Sequence, residues 1–101
     1  MAEAFKSFRE FYPFYLGEHG NRICRRLHFF GSCLVLLTLI LVLISHRWWG
    51  FILMPLFGYG FAWIGHFFFA HNRPATFTHP FYSFMGDWVM FRDILLGRIR
   101  F

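Results

Sequence analysis

The chain has 101 residues, of which 57% are hydrophobic, 25% aromatic and 15% charged, against roughly 25% charged in an ordinary soluble domain. Seventeen Phe, four Trp and four Tyr are more apolar surface than a water-soluble domain of this size hides, which excludes a disordered tail or a charged coiled coil and places part of the chain in lipid. The net charge of +5 rests on ten Lys and Arg, nine of them Arg, spread among aromatics without a basic run; this is a pattern of membrane topology and headgroup contact, not of nucleic-acid binding.

From Glu3 to Leu16, Phe recurs at 5, 8, 11 and 14 beside Tyr12 and Tyr15, with Lys6, Arg9 and Glu10 between them. That spacing predicts an interfacial amphipathic helix bent at Pro13. No apolar core leads to a small-residue cleavage site, so a signal peptide is not expected. Phe29 to Ser45 is free of charge and at about 1.5 Å per residue reaches about 25 Å, close to a hydrocarbon core; a first span is predicted over residues 28–46. His46, Arg47, Trp48 and Trp49 read as an interfacial turn. A second span follows over residues 48–71, with a kink near Pro55. Residues 72–79 form a surface loop, since Pro74 disfavours helix at Arg73. The last segment, residues 80–97, is apolar but contains Asp87, Arg92 and Asp93, which are expensive in lipid unless they face protein or water. It is expected at the interface or partly inserted.

The predicted fold is therefore one all-α integral membrane domain, residues 1–101: an antiparallel transmembrane helix hairpin, an N-terminal interfacial segment (residues 1–27) and a C-terminal interfacial or partly inserted helix. Cys24 and Cys33, nine residues apart, fall on opposite faces of a helix and read as packing thiols rather than a disulfide.

Six histidines in so apolar a chain are the main chemical signal. Antiparallel spans return His28 and His66 to one membrane surface, near His19, His71 and His79, and leave His46 at the other. Lys6, Arg9, Arg22, Arg25, Arg26 and Arg73 share the histidine side, which the positive-inside rule makes cytoplasmic, in the inner membrane if the chain is bacterial. Gly31 and Ser32 beside His28, and Gly58, Ala62 and Gly65 beside His66, let the helices approach closely. Neutral imidazoles without a cysteine pair or an acidic cluster suit a transition metal better than a zinc finger or a calcium site. The plainer account, that interfacial histidines satisfy helix ends and headgroups, is preferred for His46. His71 is turned away from His66 and is expected behind the ligands. His79-Pro80 opens the last helix and aims His79 at the same place. The arginines of this surface, Arg22, Arg25, Arg26 and Arg73, can clamp a carboxylate or touch phospholipid. Glu18 and Asp87 are the carboxylates available to orient a ligand imidazole.

The blocks Tyr15-Leu-Gly-Glu-His19, Asn21, Arg25 to His28 and Gly31, then Trp63-Ile-Gly-His66-Phe67, Asn72-Arg-Pro-Ala-Thr-Phe77 and Met85-Gly-Asp87 resemble a small membrane family of iron(II)-dependent 2-hydroxy fatty acid dioxygenases. Its characterised eukaryotic member acts in phytosphingosine breakdown. The resemblance covers nearly the whole chain outside the first span and the extreme termini. It implies an O2-dependent α-oxidation in which a long-chain 2-hydroxy acid loses its carboxyl carbon as CO2 and leaves a fatty acid one carbon shorter, with Fe(II) as cofactor. It further implies His19, His28 and His66 as catalytic metal ligands, with His79 as the expected fourth. Arg25, Asn72 and Arg73 are expected to hold the substrate acid, and Asn21, His71 and Asp87 to stand behind the site. The chain departs from the family pattern at Arg22, Cys24 and Ala70, where Pro, Asn and Glu are common; lacking that Glu, an all-histidine ligand set is expected. Two readings of other kinds compete: a bis-histidine haem-binding membrane protein, and a non-catalytic small membrane scaffold. Exposed Gly and Ala faces leave room for a homodimer.

Overall fold

The computed structural model describes residues 5–101; residues 1–4, and with them the Glu3 end of the expected first helix, lie outside the described residues. The described chain is helical, with no strand among the described residues. Helix α1 (Phe8–Glu18) starts at Ser7, whose hydroxyl accepts the Glu10 amide, as short polar side chains do at an N-cap. It runs through Pro13, which is exposed, and ends at His19. Helix α2 (Arg22–Ser45) is capped by Asn21, whose Oδ1 accepts the Cys24 amide at 2.9 Å. The helix thus begins well before the uncharged run, because the Asn21 cap sets its start. His46, in the left-handed region at φ 58°, closes it.

A 3-10 turn, Trp48–Ile52, leads into α3 (Leu53–Ile64), which continues as a π-helical segment, Gly65–Ala70, closed by a left-handed His71 at φ 56°. The expected break near Pro55 thus takes the form of a change of helix type ahead of Leu53. Pro55 sits in the first turn of α3, where its missing N–H removes no helical bond. The π segment had no sequence signal; such segments occur disproportionately at functional sites. After a short 3-10 turn, Ala75–Phe77, helix α4 (Pro80–Leu95) opens with Pro80 in its first turn.

Glycines set how closely α2 and α3 approach. A Cβ on Gly65 would stand 3.0 Å from the Cys24 Cα, one on Gly31 2.9 Å from the Phe57 carbonyl oxygen, and one on Gly50 2.5 Å from a Val42 methyl. Sequence position rises along one helix as it falls along the other. Cys24 is buried in this contact and Cys33 is exposed on the opposite face, as their spacing requires. Both α2 and the run Trp48–Ala70 are long and apolar enough to cross a membrane.

Helix α1 lies on α4 around a core of Phe11, Tyr15, Ala75 and Met90, with the Tyr15 ring against Gly86. The Tyr12 hydroxyl donates to Asp93 Oδ2 at 2.8 Å, and the Tyr15 hydroxyl donates to Asp87. Both carboxylates of α4 therefore face α1. Burial alone would raise Asp93; the Tyr12 bond together with Arg92 at 3.0 Å and Arg98 at 3.7 Å outweighs it and holds the carboxyl below its ordinary value.

Candidate metal centre

Three elements each bring one imidazole to the same point. His19 is the C-cap of α1, His28 lies in the second turn of α2, and His66 sits in the π segment. All three are buried. Their Nε2 atoms form a triangle with sides of 3.0, 3.0 and 3.1 Å.

The partners of the other ring nitrogens assign the tautomers. His19 Nδ1 donates to the Tyr15 carbonyl at 2.7 Å. His66 Nδ1 donates to Asn72 Oδ1 at 2.6 Å, and the orientation of that amide is fixed because Asn72 Nδ2 donates to the Glu18 carbonyl and to Glu18 Oε2, both at 2.9 Å. His28 Nδ1 faces Asp87 Oδ1 at 3.7 Å, an electrostatic contact longer than a hydrogen bond. With the hydrogens on Nδ1, each Nε2 presents a lone pair to the other two. Burial, opposed by the Tyr15 bond, lowers His19 to about 3, so it carries no second proton at neutral pH. Three buried acceptors cannot satisfy one another. A cation can, and the ligand atoms of His19, His28 and His66 all lie within 4.8 Å of one another.

The donor set, three neutral imidazole nitrogens with no thiolate among them, fits a first-row transition metal.

Behind the triad, the Tyr15 ring stacks on His19 with centroids 4.1 Å apart. Burial, then Asp87, keeps the Tyr15 hydroxyl well above its ordinary pKa, so it retains its proton and donates it to Asp87. Burial raises Asp87 to about 7 against the downward pull of that hydroxyl. Two spaces adjoin the triad. One, of about 300 Å³, runs from His28 and Asp87 past Ser32, Val35, Gly58 and Met54 between α2, α3 and α4. The other, of about 10 Å³, touches all three histidines and Asp87.

The structure places the remaining expected residues as follows. His79 stands apart from the triad: it packs on Phe5 and Phe11, with centroids at 5.1 and 5.4 Å, and its Nδ1 lies 2.8 Å from Thr78 Oγ1. Asn72, expected on the substrate, has both amide atoms engaged in holding His66 to Glu18. Arg25, also expected on the substrate, donates to the carbonyls of His19, Gly20 and Arg100 at 3.0–3.1 Å and so fastens the end of α1. Arg73 is exposed. Asn21 caps α2 and reaches the Phe69 carbonyl, and His71 is an exposed helix cap. Asp87 faces His28 at 3.7 Å. Sequence reasoning missed Ser83, buried beside the triad, for which no residue-type signal exists. It met Tyr15 only as part of an aromatic stripe, although its spacing of four from His19 puts the two on one helix face.

No curated protein and no solved structure matches the chain. The family described as 2-hydroxy-palmitic acid dioxygenase Mpo1-like matches residues 5–99, a span holding all three converging histidines and the side chains that fix their tautomers, and the chain belongs to that family.

Proposed function

We propose that this protein is an iron(II)-dependent dioxygenase of the membrane that shortens long-chain 2-hydroxy fatty acids by one carbon. The observation that carries the reading is the convergence of three Nε2 lone pairs, one of them on His28, which also lines an apolar cavity of about 300 Å³. His19, His28 and His66 hold the metal, whose role when bound is the redox chemistry with O2 that no amino-acid side chain supplies. The chain's own contribution is placement. His28 and Asp87 stand where the cavity meets the triad, and its apolar walls receive the acyl tail, so the acid end of the substrate comes to the metal with its carboxyl and 2-hydroxyl groups foremost. In the overall reaction the C1–C2 bond of the acid breaks, C1 leaves as CO2, C2 is oxidised to the new carboxyl group, and O2 is reduced, one of its oxygen equivalents ending as water. The substrate and O2 balance the fatty acid, CO2 and water.

Membrane placement follows from where the apolar surface goes. Only 28% and 17% of the two apolar windows is buried inside the protein, so lipid covers the remainder. The two spans form the antiparallel hairpin across the bilayer, α1 and α4 cover its histidine end, and that end faces the cytoplasm by the distribution of Arg and Lys. A haem reading requires two imidazoles on opposite faces of a porphyrin; Nε2 atoms 3.0–3.1 Å apart leave no room for one.

The test combines elemental analysis of protein purified in mild detergent with product analysis after addition of O2 and 2-hydroxyhexadecanoic acid. Stoichiometric iron, and a product one carbon shorter that disappears in His28→Ala and His66→Ala, is the expected result. Conversion by metal-free protein overturns the reading.

A further inference from the structure

Ser83 is 1% exposed, in the first turn of α4, and its hydroxyl is the one side-chain polar atom among the described residues that is buried without a hydrogen-bond partner. Such a group destabilises the fold it sits in unless a ligand completes it. Ser83 lines the small void of about 10 Å³ whose other walls include His19, His28, His66, Tyr15 and Asp87. That volume holds about one water-sized molecule and cannot take an acyl chain. The larger cavity shares the walls His28, Tyr59 and Asp87 with it, but Ser83 is not among the larger cavity's walls. Two unequal spaces thus meet at the triad, one apolar and long, the other minute and furnished with a single uncommitted O–H donor.

We propose that the Ser83 hydroxyl donates a hydrogen bond to the dioxygen that binds at the histidine triad. The inference rests on the reading of the triad as an iron site and adds to it a residue that touches the second substrate.

Nitric oxide, a diatomic probe of the same size, tests this in the iron(II)-loaded full chain by titration of its electron paramagnetic resonance signal. Ser83→Ala is expected to leave iron content unchanged and to weaken nitric oxide binding about tenfold, the equivalent of one hydrogen bond, with KM for O2 rising in parallel. Ser83→Thr, which keeps a hydroxyl, restores binding. Thermal unfolding of the metal-free protein supplies the second readout: removal of an unpartnered hydroxyl leaves the midpoint unchanged or raises it. Equal nitric oxide affinity in wild type and Ser83→Ala overturns the assignment of Ser83, as does a lowered midpoint, which would reveal a structural partner. If the wild-type chain binds no iron, the reading of the triad falls and this inference with it.

Discussion

Each imidazole of the triad is set by a different partner, a main-chain carbonyl for His19, an amide for His66 and a carboxylate for His28. Partners of this kind typically govern metal affinity by 10- to 100-fold. Asn72→Ala is therefore expected to lower iron affinity by about that factor in a competition titration while His66 itself remains. His71 provides the contrast. It is exposed and occupies a left-handed backbone position that glycine fills without penalty, so His71→Gly should retain full metal content and unfold at the same or a higher temperature. Asp87 gives a pH signature in the metal-free protein. Its carboxyl rises from 3.8 to about 7 on folding, so the folded state binds more protons in that window and this group weakens the fold as pH rises through it. His19, lowered from 6.5 to about 3, acts in the opposite sense, favouring the fold less as pH falls from 6.5. Asp87→Asn removes only the first effect, so its midpoint should gain on wild type between about pH 4 and about pH 7; a difference that does not change with pH contradicts this. The three converging histidines were legible because imidazoles stand out in an apolar chain. His79 carried the same signal, yet the register of α4 turns it onto the α1 aromatic core. The roles of Asn72 and Arg25 were not legible, since the carbonyls and carboxylate they hold come from other segments.

At the scale of the helices, the triad depends on how closely α2 approaches α3. Gly31→Ala would press a methyl against the Phe57 carbonyl oxygen and the Phe61 Cβ, at 2.9 and 3.1 Å. Backbone cannot move aside as a flexible side chain does, so destabilisation of about 1–3 kcal/mol is expected, with iron lost because His28 and His66 separate. Gly60→Ala, where nothing lies within 4 Å, should be neutral or slightly stabilising. Thermal unfolding in detergent with parallel iron analysis checks both. Charge-free length made the two apolar helices legible, and capping residues explain where they differ from the uncharged runs. The π segment was not legible: it arises from the fit of Gly65 against Cys24 and of His66 against Asn72, and both contacts join residues from different elements.

Over the whole molecule, the apolar exterior, the cavity and the one-sided arginines combine into a single arrangement. In sealed vesicles, a cysteine placed at Arg73 and one placed at Arg47, each in a chain lacking Cys24 and Cys33, should react with an impermeant thiol reagent from opposite sides. Labelling of both from one side would rule out the hairpin. Val35→Phe narrows the 300 Å³ cavity beside Gly58 and is expected to reduce turnover of long 2-hydroxy acids more than of short ones, read as the ratio of their kcat/KM values. A helical chain with two long apolar helices was legible from composition and charge-free length. The closeness of α1 to α4, through Tyr12 with Asp93 and Tyr15 with Asp87, was not, because tyrosines in an aromatic stripe read equally well as lipid contacts.

The derivation of the three ligands from three separate elements has a consequence for how the protein matures. His28 and His66 arrive together once the two long helices pair, whereas His19 arrives only when α1 seats on α4. An ion held by the triad would therefore work as a buckle that fastens α1 to the pair of long helices. Metal removal should leave the helix pair intact with α1 unlatched, and an added protease would find the loop around Gly20 open only in the metal-free protein.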